Sequence, residues 1–205
     1  MKTSALIANG SIQSYEKMKP LILKHRRIVA ADGGLEHCHK MGIQPHLVVG
    51  DFDSCPKELL KQCESIPKIS LSQEKDETDL EVAIDHEFKE GAEEITLFAA
   101  WGKRIDHSLT NALFLGRYPG KIKLETEEEI LFAIQGKTMF PCHRGQTVSL
   151  LPIYGPAQGI TTSGLQWELQ NRTLDLNFVG ISNICLKTPI EISIEQGLLL
   201  CSLVK

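Results

Sequence analysis

The chain has 205 residues, of which 42% are apolar and 23% charged, as is ordinary for a globular protein of one or two domains. Lys and Arg number 22 against 26 Asp and Glu, so the formal net charge is −4. Without a long basic tract, this balance excludes a general nucleic-acid binder. No apolar run approaches the roughly 20 residues needed to cross a bilayer, so we expect a soluble protein.

The six cysteines are spread irregularly and form no C-x-x-C pair, and no secretory signal peptide precedes them. This pattern predicts reduced, mostly buried thiols and a cytoplasmic location. Cys38 lies between His37 and His39, but neighbouring helical residues point in different directions. No second ligand pair stands at zinc spacing, so we do not expect a metal site there.

Up to about residue 125, short apolar runs alternate with helical stretches. The predicted strands are 5–8, 28–31, 47–49, 66–71, 95–99 and 122–124. The predicted helices are 12–25, 35–41, 56–63, 78–89 and 108–118. Such alternation favours right-handed β-α-β crossovers, so we predict an α/β domain with a mostly parallel, doubly wound sheet over residues 1–125. Pro20 is expected to kink or divide the first helix.

After the acidic stretch 125–129, which we interpret as a solvated linker, the pattern becomes short and β-rich. The predicted strands are 130–134, 147–151, 159–162, 174–176, 190–194 and 198–204. Turn residues separate them, and no long amphipathic helix remains. The pattern predicts an all-β sandwich or barrel domain over residues 126–205.

The first of three acidic clusters is Gly50-Asp51-Phe52-Asp53-Ser54, directly after a predicted strand. Residues two apart in an extended chain point to the same face, so Asp51 and Asp53 can share one cation. Alternatively, Asp53 or Ser54 simply caps the following helix. Capping would leave Asp51 unexplained.

The second cluster, Lys75-Asp76-Glu77-Thr78-Asp79, stands at a predicted helix start. Asp76 and Asp79 are three apart, which would place them on one side of the first turn, where the helix dipole favours anions. Lys75 can reach a phosphate as a point charge. The alternative is a helix cap followed by an acidic first turn.

The third cluster runs from Gly102 to His107. Gly102 follows a predicted strand and permits backbone conformations that other residues disfavour, and the planar guanidinium of Arg104 can donate two hydrogen bonds to a phosphate. Asp106 and His107 begin the next helix, where they can instead be a cap and an ordinary polar residue.

Two further turns, Asn9-Gly10 and Asp32-Gly33-Gly34, also follow predicted strands. Their glycines allow a ligand to approach the backbone closely, and Asp32 can accept a hydrogen bond from a ribose hydroxyl. Neither turn matches a Walker A loop or a G-x-G-x-x-G fingerprint. Ligands of open α/β sheets bind outside the carboxyl ends of the strands, so we expect these turns and the acidic clusters to converge. Gathered carboxylates beside a Lys and an Arg suit Mg²⁺ and a polyphosphate, which predicts nucleotide-dependent phosphoryl chemistry.

In the β-rich half, Trp167 and the pair Ser182-Asn183 are candidates for binding a flat ring. Tryptophan can stack on such a ring, although an isolated Trp in a β-rich segment is more often part of the core. Ser182-Asn183 is ordinarily a turn.

Together, these segments resemble the thiamine pyrophosphokinase family through nearly the whole chain. The family's G-D-x-D-S element is present at 50–54, K-D-x-T-D at 75–79 and G-x-R-x-D-H at 102–107. In the β-rich half, the segments 148–152, 161–165 and 180–183 resemble its thiamine-binding domain. One departure is Lys103, where a glycine is frequent in the family; a long cation there either adds a phosphate contact or faces solvent.

The resemblance implies an α/β catalytic domain and a β-sandwich, a homodimer with sites between the subunits, and transfer of the pyrophosphoryl group of ATP to the hydroxyl of thiamine, giving thiamine diphosphate and AMP. It places Mg²⁺ among Asp51, Asp53, Asp76 and Asp79. It places the nucleotide near Asn9, Gly10, Asp32, Gly33, Lys75, Thr78, Arg104, Asp106, His107 and Asn111, and thiamine near Trp167, Ser182 and Asn183. Catalysis would rest on Asp51, Asp76, Asp79 and Arg104, with Asp76 or Asp79 accepting the hydroxyl proton.

Two other functions stay open at this point. One is a pyrophosphokinase that acts on a hydroxymethyl pterin, which the β-rich half disfavours. The other is a non-catalytic thiamine or nucleotide sensor, which would not need every acidic position of the three clusters.

Overall fold

The structure is a computed structural model that describes residues 2–52, 57–72, 74 and 76–205. The chain divides into two compact units, one made of Met1–Ser108 with Glu125–Glu127 and the other of Leu109–Leu124 with Glu128–Lys205. Across the described ranges, no helix combines the length and the apolar character that crossing a membrane requires.

The first unit alternates strands with helices, as the sequence predicts. Its strands are β1 (Thr3–Ile7), β2 (Arg27–Ala31), β3 (Leu47–Gly50), β4 (Lys68–Ser70) and β5 (Glu94–Phe98). Its helices are α1 (Tyr15–Ile22), α2 (Gly34–Met41), α3 (Lys57–Gln62) and α4 (Asp79–Lys89), and α5 (Ile105–Leu115) begins in it. The strands lie in the order β5-β1-β2-β3-β4, and all neighbours run parallel.

Helix α1 is shorter than the predicted stretch 12–25. It begins after Ser14, whose side-chain oxygen accepts a hydrogen bond from the backbone N–H of Lys17 and so caps the helix. Pro20 lies inside the helix and does not divide it. The apolar pattern therefore predicted the existence of this helix but not its ends.

The central strands bury both of their faces. On one face, Ala5 and Ile7 of β1 pack in a core with Met18 and Ile22 of α1 and Leu35 of α2. Helix α4 contacts β1, β2 and β3. Because side chains alternate along a strand, both faces of a parallel sheet need helices to cover them.

Glu87, near the C-terminal end of α4, is a fully buried carboxylate with two partners. Its Oε2 accepts a hydrogen bond from Ser4 Oγ of β1 at 2.6 Å, and its Oε1 accepts one from Arg27 Nε of β2 at 2.8 Å. A buried charge is tolerated only when it is paired and hydrogen-bonded. These bonds therefore tie the far end of α4 to two neighbouring strands.

The second unit contains most of α5, which begins in the first unit, and most of strand β6 (Ile122–Glu125). Its other strands pair in antiparallel fashion, and they are β7 (Glu129–Ile134), β8 (Lys137–Phe140), β9 (Thr147–Leu151), β10 (Ala157–Ser163), β11 (Arg172–Leu174), β12 (Gly180–Ile184), β13 (Ile190–Ser193) and β14 (Leu199–Val204). One run has the order β12-β9-β14-β7-β6, and a separate sheet has the order β11-β10-β13-β8. Residues 126–205, all of them described, contain no helix.

The chain thus combines a mixed sheet that contains parallel strands with a separate antiparallel β-sheet, roughly as the sequence predicts. Two strands of the second unit were not predicted. Strand β8 alternates exposed and less exposed residues, with Lys137 at its start. Strand β12 occupies the segment 180–184, so the alternative that Ser182-Asn183 is an ordinary turn is wrong.

Candidate functional site

Three carboxylates gather at the carboxyl-terminal edge of the parallel sheet. Asp32 follows β2, Asp51 follows β3, and Asp79 is the first residue of α4. Each of them offers one oxygen, and these three oxygens lie within 4.8 Å of one another. All three residues are half-buried. We call Asp32, Asp51 and Asp79 the carboxylate group.

The backbone of two adjacent parallel strands brings Asp32 and Asp51 together. The N–H of Asp32 donates to the carbonyl of Val49 at 2.8 Å, which continues the pairing of β2 and β3 by one residue. A Cβ at Gly50 would lie 3.2 Å from Asp32 Cα, so a larger residue would press on this turn. The two carboxylates are neighbours because their strands are neighbours.

A capping box fixes Asp79. The side-chain oxygen of Thr78 accepts from the N–H of Glu81 at 3.2 Å, and Glu81 Oε2 accepts from the N–H of Thr78 at 3.0 Å. This reciprocal pair satisfies two donors at the helix start and sets the first turn of α4. Thr78, predicted near the nucleotide, thus has a local structural task.

The structure separates Asp76 from Asp79. Helix α4 begins at Asp79, so the prediction that the two share its first turn is wrong. The cause is Thr78, which caps the helix, so that the first turn begins at Asp79 and Asp76 precedes it. Asp76 is exposed and, among the described carboxylates, is not in the group formed by Asp32, Asp51 and Asp79. Asp53 and Lys75 lie outside the described residues.

The Asn9-Gly10 turn is joined to the segment after β5. The N–H of Gly10 donates to the carbonyl of Ala99 at 2.5 Å. A Cβ at Gly10 would lie 2.3 Å from that oxygen and 2.4 Å from the carbonyl oxygen of Trp101. Gly10 is therefore required by the close approach of two backbone segments, and it keeps Asn9 exposed at the sheet edge.

His37, on α2, supports this turn from inside. Its Nε2 lies 3.0 Å from the carbonyl oxygen of Gly10, and its Nδ1 lies 2.9 Å from the hydroxyl of Tyr15. Because a carbonyl only accepts, Nε2 carries the proton and Nδ1 accepts from Tyr15. Burial lowers the pKa of His37, against a smaller raising effect of the bond to Gly10. His37 is thus held neutral.

We expect this histidine to make the fold sensitive to acid. The folded protein holds the His37 pKa below the ordinary value of 6.5, so above that pH the histidine does not affect the free energy of unfolding. As the pH falls below 6.5 toward the folded pKa, the unfolded chain takes up the proton first, and the free energy of unfolding falls. Thermal melts of the native protein and of His37→Gln, measured from about pH 8 to about pH 5, would test this prediction. The native protein should lose more melting temperature on acidification; parallel curves would contradict the prediction.

Arg104 and Asp106 of the third cluster form an ion pair. Arg104 Nε lies 3.2 Å from Asp106 Oδ1, and Arg104 Nη2 lies 2.5 Å from Oδ2. The hydrogen bond to Arg104 lowers the pKa of Asp106 to about 2, and the same bond raises the pKa of Arg104. Both side chains are exposed, so this pair orients the guanidinium rather than stabilising the fold.

Ser108 sets the shape of the loop before α5. Its hydroxyl donates to the carbonyl of Arg104 at 2.8 Å and accepts from the N–H of Gly102 at 3.0 Å. Asp106 and His107 begin α5, as predicted, and both are exposed. Asn111 is buried in the same helix.

Left-handed backbone is concentrated just beyond the strands of the parallel sheet. Asp32 has φ 47°, Phe52 62°, Ala99 50° and Lys103 60°. Such values are unfavourable for residues with a Cβ and recur where function needs a specific backbone path. All four lie in segments that follow strands of the parallel sheet, and Asp32 is itself a predicted site residue.

In the second unit, Trp167 and Asn183 hold each other. Asn183 Oδ1 accepts from the N–H of Trp167 at 3.1 Å, and Asn183 Nδ2 donates to the carbonyl of Trp167 at 2.7 Å. Trp167 is 57% exposed, so it is not part of the core. The alternative of a core tryptophan is therefore wrong, and the indole is displayed at the surface by a reciprocal side-chain clamp.

Ser182 lies beside this clamp on β12. It has φ 59°, and the pairing of β12 with β9 shifts register between Gly180 and Asn183. The N–H of Ser182 donates to Ser149 Oγ at 3.0 Å. The irregularity turns the exposed side chain of Ser182 away from the regular alternation of the strand.

The sequence did not predict the roles that three residues have at the edge of the parallel sheet. It placed Asp32 with the nucleotide and not with the carboxylates, although Asp32 follows its strand as Asp51 follows the next one. It also missed His37 and Ser108, which act on backbone groups. The contacts of His37 and Ser108 join residues that no sequence spacing connects. Only the role of Asp32 could have been predicted, from its position directly after a strand.

Comparison with known families gives two matches. The family described as "Thiamin pyrophosphokinase, catalytic domain" matches residues 18–125, and the one described as "Thiamin pyrophosphokinase, vitamin B1 binding domain" matches residues 132–199.

Individual proteins are similar over almost the whole chain. Thiamine pyrophosphokinase of Bacillus subtilis (strain 168) is 26% identical over 211 residues, which cover 98% of this chain and 97% of that protein. Thiamine pyrophosphokinase 1 of Arabidopsis thaliana is 26% identical over 222 residues, covering 91% and 82%.

Solved structures share the fold. The crystal structure of thiamine pyrophosphokinase from Bacillus subtilis aligns with a TM-score of 0.86 at 22% identity, over 100% of this chain and 99% of that one. Yeast thiamin pyrophosphokinase aligns with a TM-score of 0.86 at 16% identity, over 99% and 86%.

Proposed function

The chain belongs to the thiamin pyrophosphokinase family and is an ATP-dependent thiamine diphosphokinase, and on that premise we propose how its own residues perform the reaction. The observation that carries the proposal is the carboxylate group at the sheet edge, where ligands of open α/β sheets bind. The turns that carry Asn9 and Arg104 follow neighbouring strands at the same edge.

The carboxylate group suits Mg²⁺. Three half-buried carboxylates within 4.8 Å offer the hard oxygen donors that this ion prefers. We propose that Asp32, Asp51 and Asp79 hold it, with Asp53 as a further candidate from the sequence. Asp76, which the sequence also assigned to the ion, is not part of this group. When bound, Mg²⁺ supplies charge neutralisation at phosphate oxygens.

In the reaction, the thiamine hydroxyl oxygen forms a bond to the β-phosphorus of ATP, and the bond from that phosphorus to the oxygen of the α-phosphate breaks, releasing AMP. The hydroxyl proton must leave to a base. A carboxylate that shares its charge with a cation is a weaker base, so Asp76, outside the carboxylate group, is a better candidate than Asp79. The remaining task is alignment and charge stabilisation, with no covalent intermediate.

Arg104 is proposed to stabilise the developing phosphate charge. Its guanidinium uses two of its N–H groups on Asp106, and the fork retains further donors for a phosphate. The exposed position of the pair leaves the guanidinium accessible to a ligand. Asn9, Gly10, Gly33, Lys75, Thr78, His107 and Asn111 complete the proposed nucleotide set.

Trp167, Ser182 and Asn183 are proposed to bind thiamine, whose aromatic rings can stack on the exposed indole. We expect Trp167→Ala to raise the KM for thiamine up to about tenfold, because a stacked aromatic pair contributes about 0.5–1.5 kcal/mol. The KM for ATP should stay unchanged. Met139→Ala, which removes another exposed apolar side chain, is the matched control. Equal thiamine KM values for all three proteins would exclude the stacking role.

The direct test of the function uses purified protein with ATP, Mg²⁺ and thiamine. Thiamine diphosphate and AMP should appear in equal amounts. Formation of ADP, or preference for a hydroxymethyl pterin over thiamine, would contradict the assignment. Ligand binding without release of AMP would indicate a sensor.

We propose a homodimer with active sites at the subunit interface. Helix α5 supports it, because Ile105, Leu109 and Leu113 stand four residues apart on one helix face and are 78%, 55% and 49% exposed. Light scattering should give about twice the 22.8 kDa of one chain. A monomeric mass would contradict the proposal.

We further propose a catalytic domain over residues 1–125 with a doubly wound sheet and a thiamine-binding sandwich over 126–205, which the two family matches support.

A cytoplasmic location is proposed from the thiols: the five described cysteines are free and buried. Burial raises the pKa of Cys38 to about 12, so this thiol stays protonated and unreactive. Limited proteolysis near residue 126 would test the domain division, and cell fractionation would test the location.

A further inference from the structure

Lys103 has a backbone conformation that lysine disfavours. Its φ is 60°, in the left-handed region where a Cβ is crowded and where glycine is the usual residue. Gly102, directly before it, has φ 90°. The chain thus places a long cationic side chain at a position where its backbone is strained, which calls for a function of the side chain.

The side chain of Lys103 is held in place. Its Nζ donates to Asn9 Oδ1 at 2.8 Å, which joins the turn after β5 to the turn after β1. Asn9 in turn lies against the next turn, because a Cβ at Gly33 would lie 2.3 Å from Asn9 Cγ. The ammonium therefore stands beside the Asp32-Gly33-Gly34 turn at the start of α2.

Electrostatics agree with this position. Burial lowers the pKa of His37, and the charge of Lys103 lowers it further. The hydrogen bond and charge of Lys40 lower the pKa of Glu36, and Lys103 adds to that effect as well. Both residues belong to the first half of α2, so the field of the ammonium reaches the N-terminal end of that helix.

The chemistry available at this point favours an anion. An ammonium has three N–H donors, and the bond to Asn9 uses one of them. Asp32, next to Gly33, belongs to the carboxylate group that is proposed to hold Mg²⁺ against the phosphates. A cation anchored beside that turn therefore lies next to the polyphosphate.

We infer that Lys103 binds a phosphate oxygen of the nucleotide, with Asn9 as the residue that positions its ammonium. This inference rests on the proposed function, since it names a further ligand of ATP. It makes Lys103 a phosphate-binding residue for this chain, in addition to Arg104.

Calorimetric titration with α,β-methylene ATP and Mg²⁺ tests the inference without turnover, because this analogue cannot release AMP. Lys103→Met should weaken binding about tenfold, as expected for loss of one charge-assisted hydrogen bond. Lys103→Arg should retain most of the affinity. Lys137→Met, which removes an exposed lysine of β8, is the matched control and should bind like the native protein.

Lys103→Gly separates binding from folding. Glycine relieves the left-handed strain, so this variant should melt no lower than the native protein while binding the analogue as weakly as Lys103→Met. In turnover, both variants should raise the KM for ATP and leave the KM for thiamine unchanged. If both bind the analogue as tightly as the native protein, the inference is overturned and the proposed function stands. If the native protein binds no nucleotide, the proposed function itself fails.

Discussion

Asp51→Asn is expected to lower kcat by at least about 10²–10³-fold while the fold is retained. Asparagine has nearly the same shape but no charge, so the carboxylate group loses one of its three anionic oxygens. The remaining pair binds a divalent cation more weakly and neutralises less of the phosphate charge. Turnover with saturating ATP and thiamine at several Mg²⁺ concentrations measures the effect.

Melting temperature separates this loss from misfolding. Native protein should be stabilised by Mg²⁺ with nucleotide, because a ligand that binds only the folded state raises its stability. Asp51→Asn should melt at a similar temperature without ligand and lose most of the ligand-dependent rise. Asp85→Asn, an exposed position on the same helix as Asp79, is the control and should behave like the native protein. Turnover of Asp51→Asn within a few-fold of native would mean that Asp51 has no part in catalysis.

Gly34→Ala is expected to have the largest effect on stability. A Cβ at this position would lie 1.9 Å from the carbonyl oxygen of Ile7, a backbone atom at the end of β1. Neither α2 nor β1 can move away without disturbing the buried core, so we expect a loss of about 3 kcal/mol or more in the free energy of unfolding. For a chain of this length that corresponds to roughly 6–12 °C in melting temperature.

Gly136→Ala is a useful comparison for this prediction. Gly136 has φ 63° and no atom within 4 Å of an added Cβ, so only backbone strain opposes alanine there. Its cost should be about 1 kcal/mol. Chemical denaturation of both variants would compare the two causes, and an equal or smaller loss for Gly34→Ala would show that the contact with Ile7 relaxes easily.

The sequence predicted where the turns of the first unit lie, because there the pattern of strands and helices was periodic. Alternation of strands and helices indicated a parallel sheet, and its topology then implied that the turns after β2 and β3 meet, as Asp32 and Asp51 do. The sequence did not predict features that depend on a single local contact. The hydroxyl of Thr78 sets the start of α4 and thereby leaves Asp76 outside the helix.

The second unit shows a different limit. Trp167 in a β-rich segment is compatible with both a core and a surface position, because period and composition do not say which face of an irregular strand is covered. The bonds of Asn183 to the backbone of Trp167, sixteen residues away, resolve the ambiguity. Such long-range polar pairs carry no sequence period and appear only in three dimensions.

The buried bonds of Glu87 bear on how freely the connection before α4 can vary. Glu87 lies eight residues after Asp79, about 12 Å along the helix axis, and Ser4 and Arg27 hold it there. Helix α4 therefore positions Asp79 from its far end rather than through the segment between β4 and Thr78. The length of the connection before Lys75 can therefore change while Asp79 keeps its position, because the helix that carries it is held at the other end.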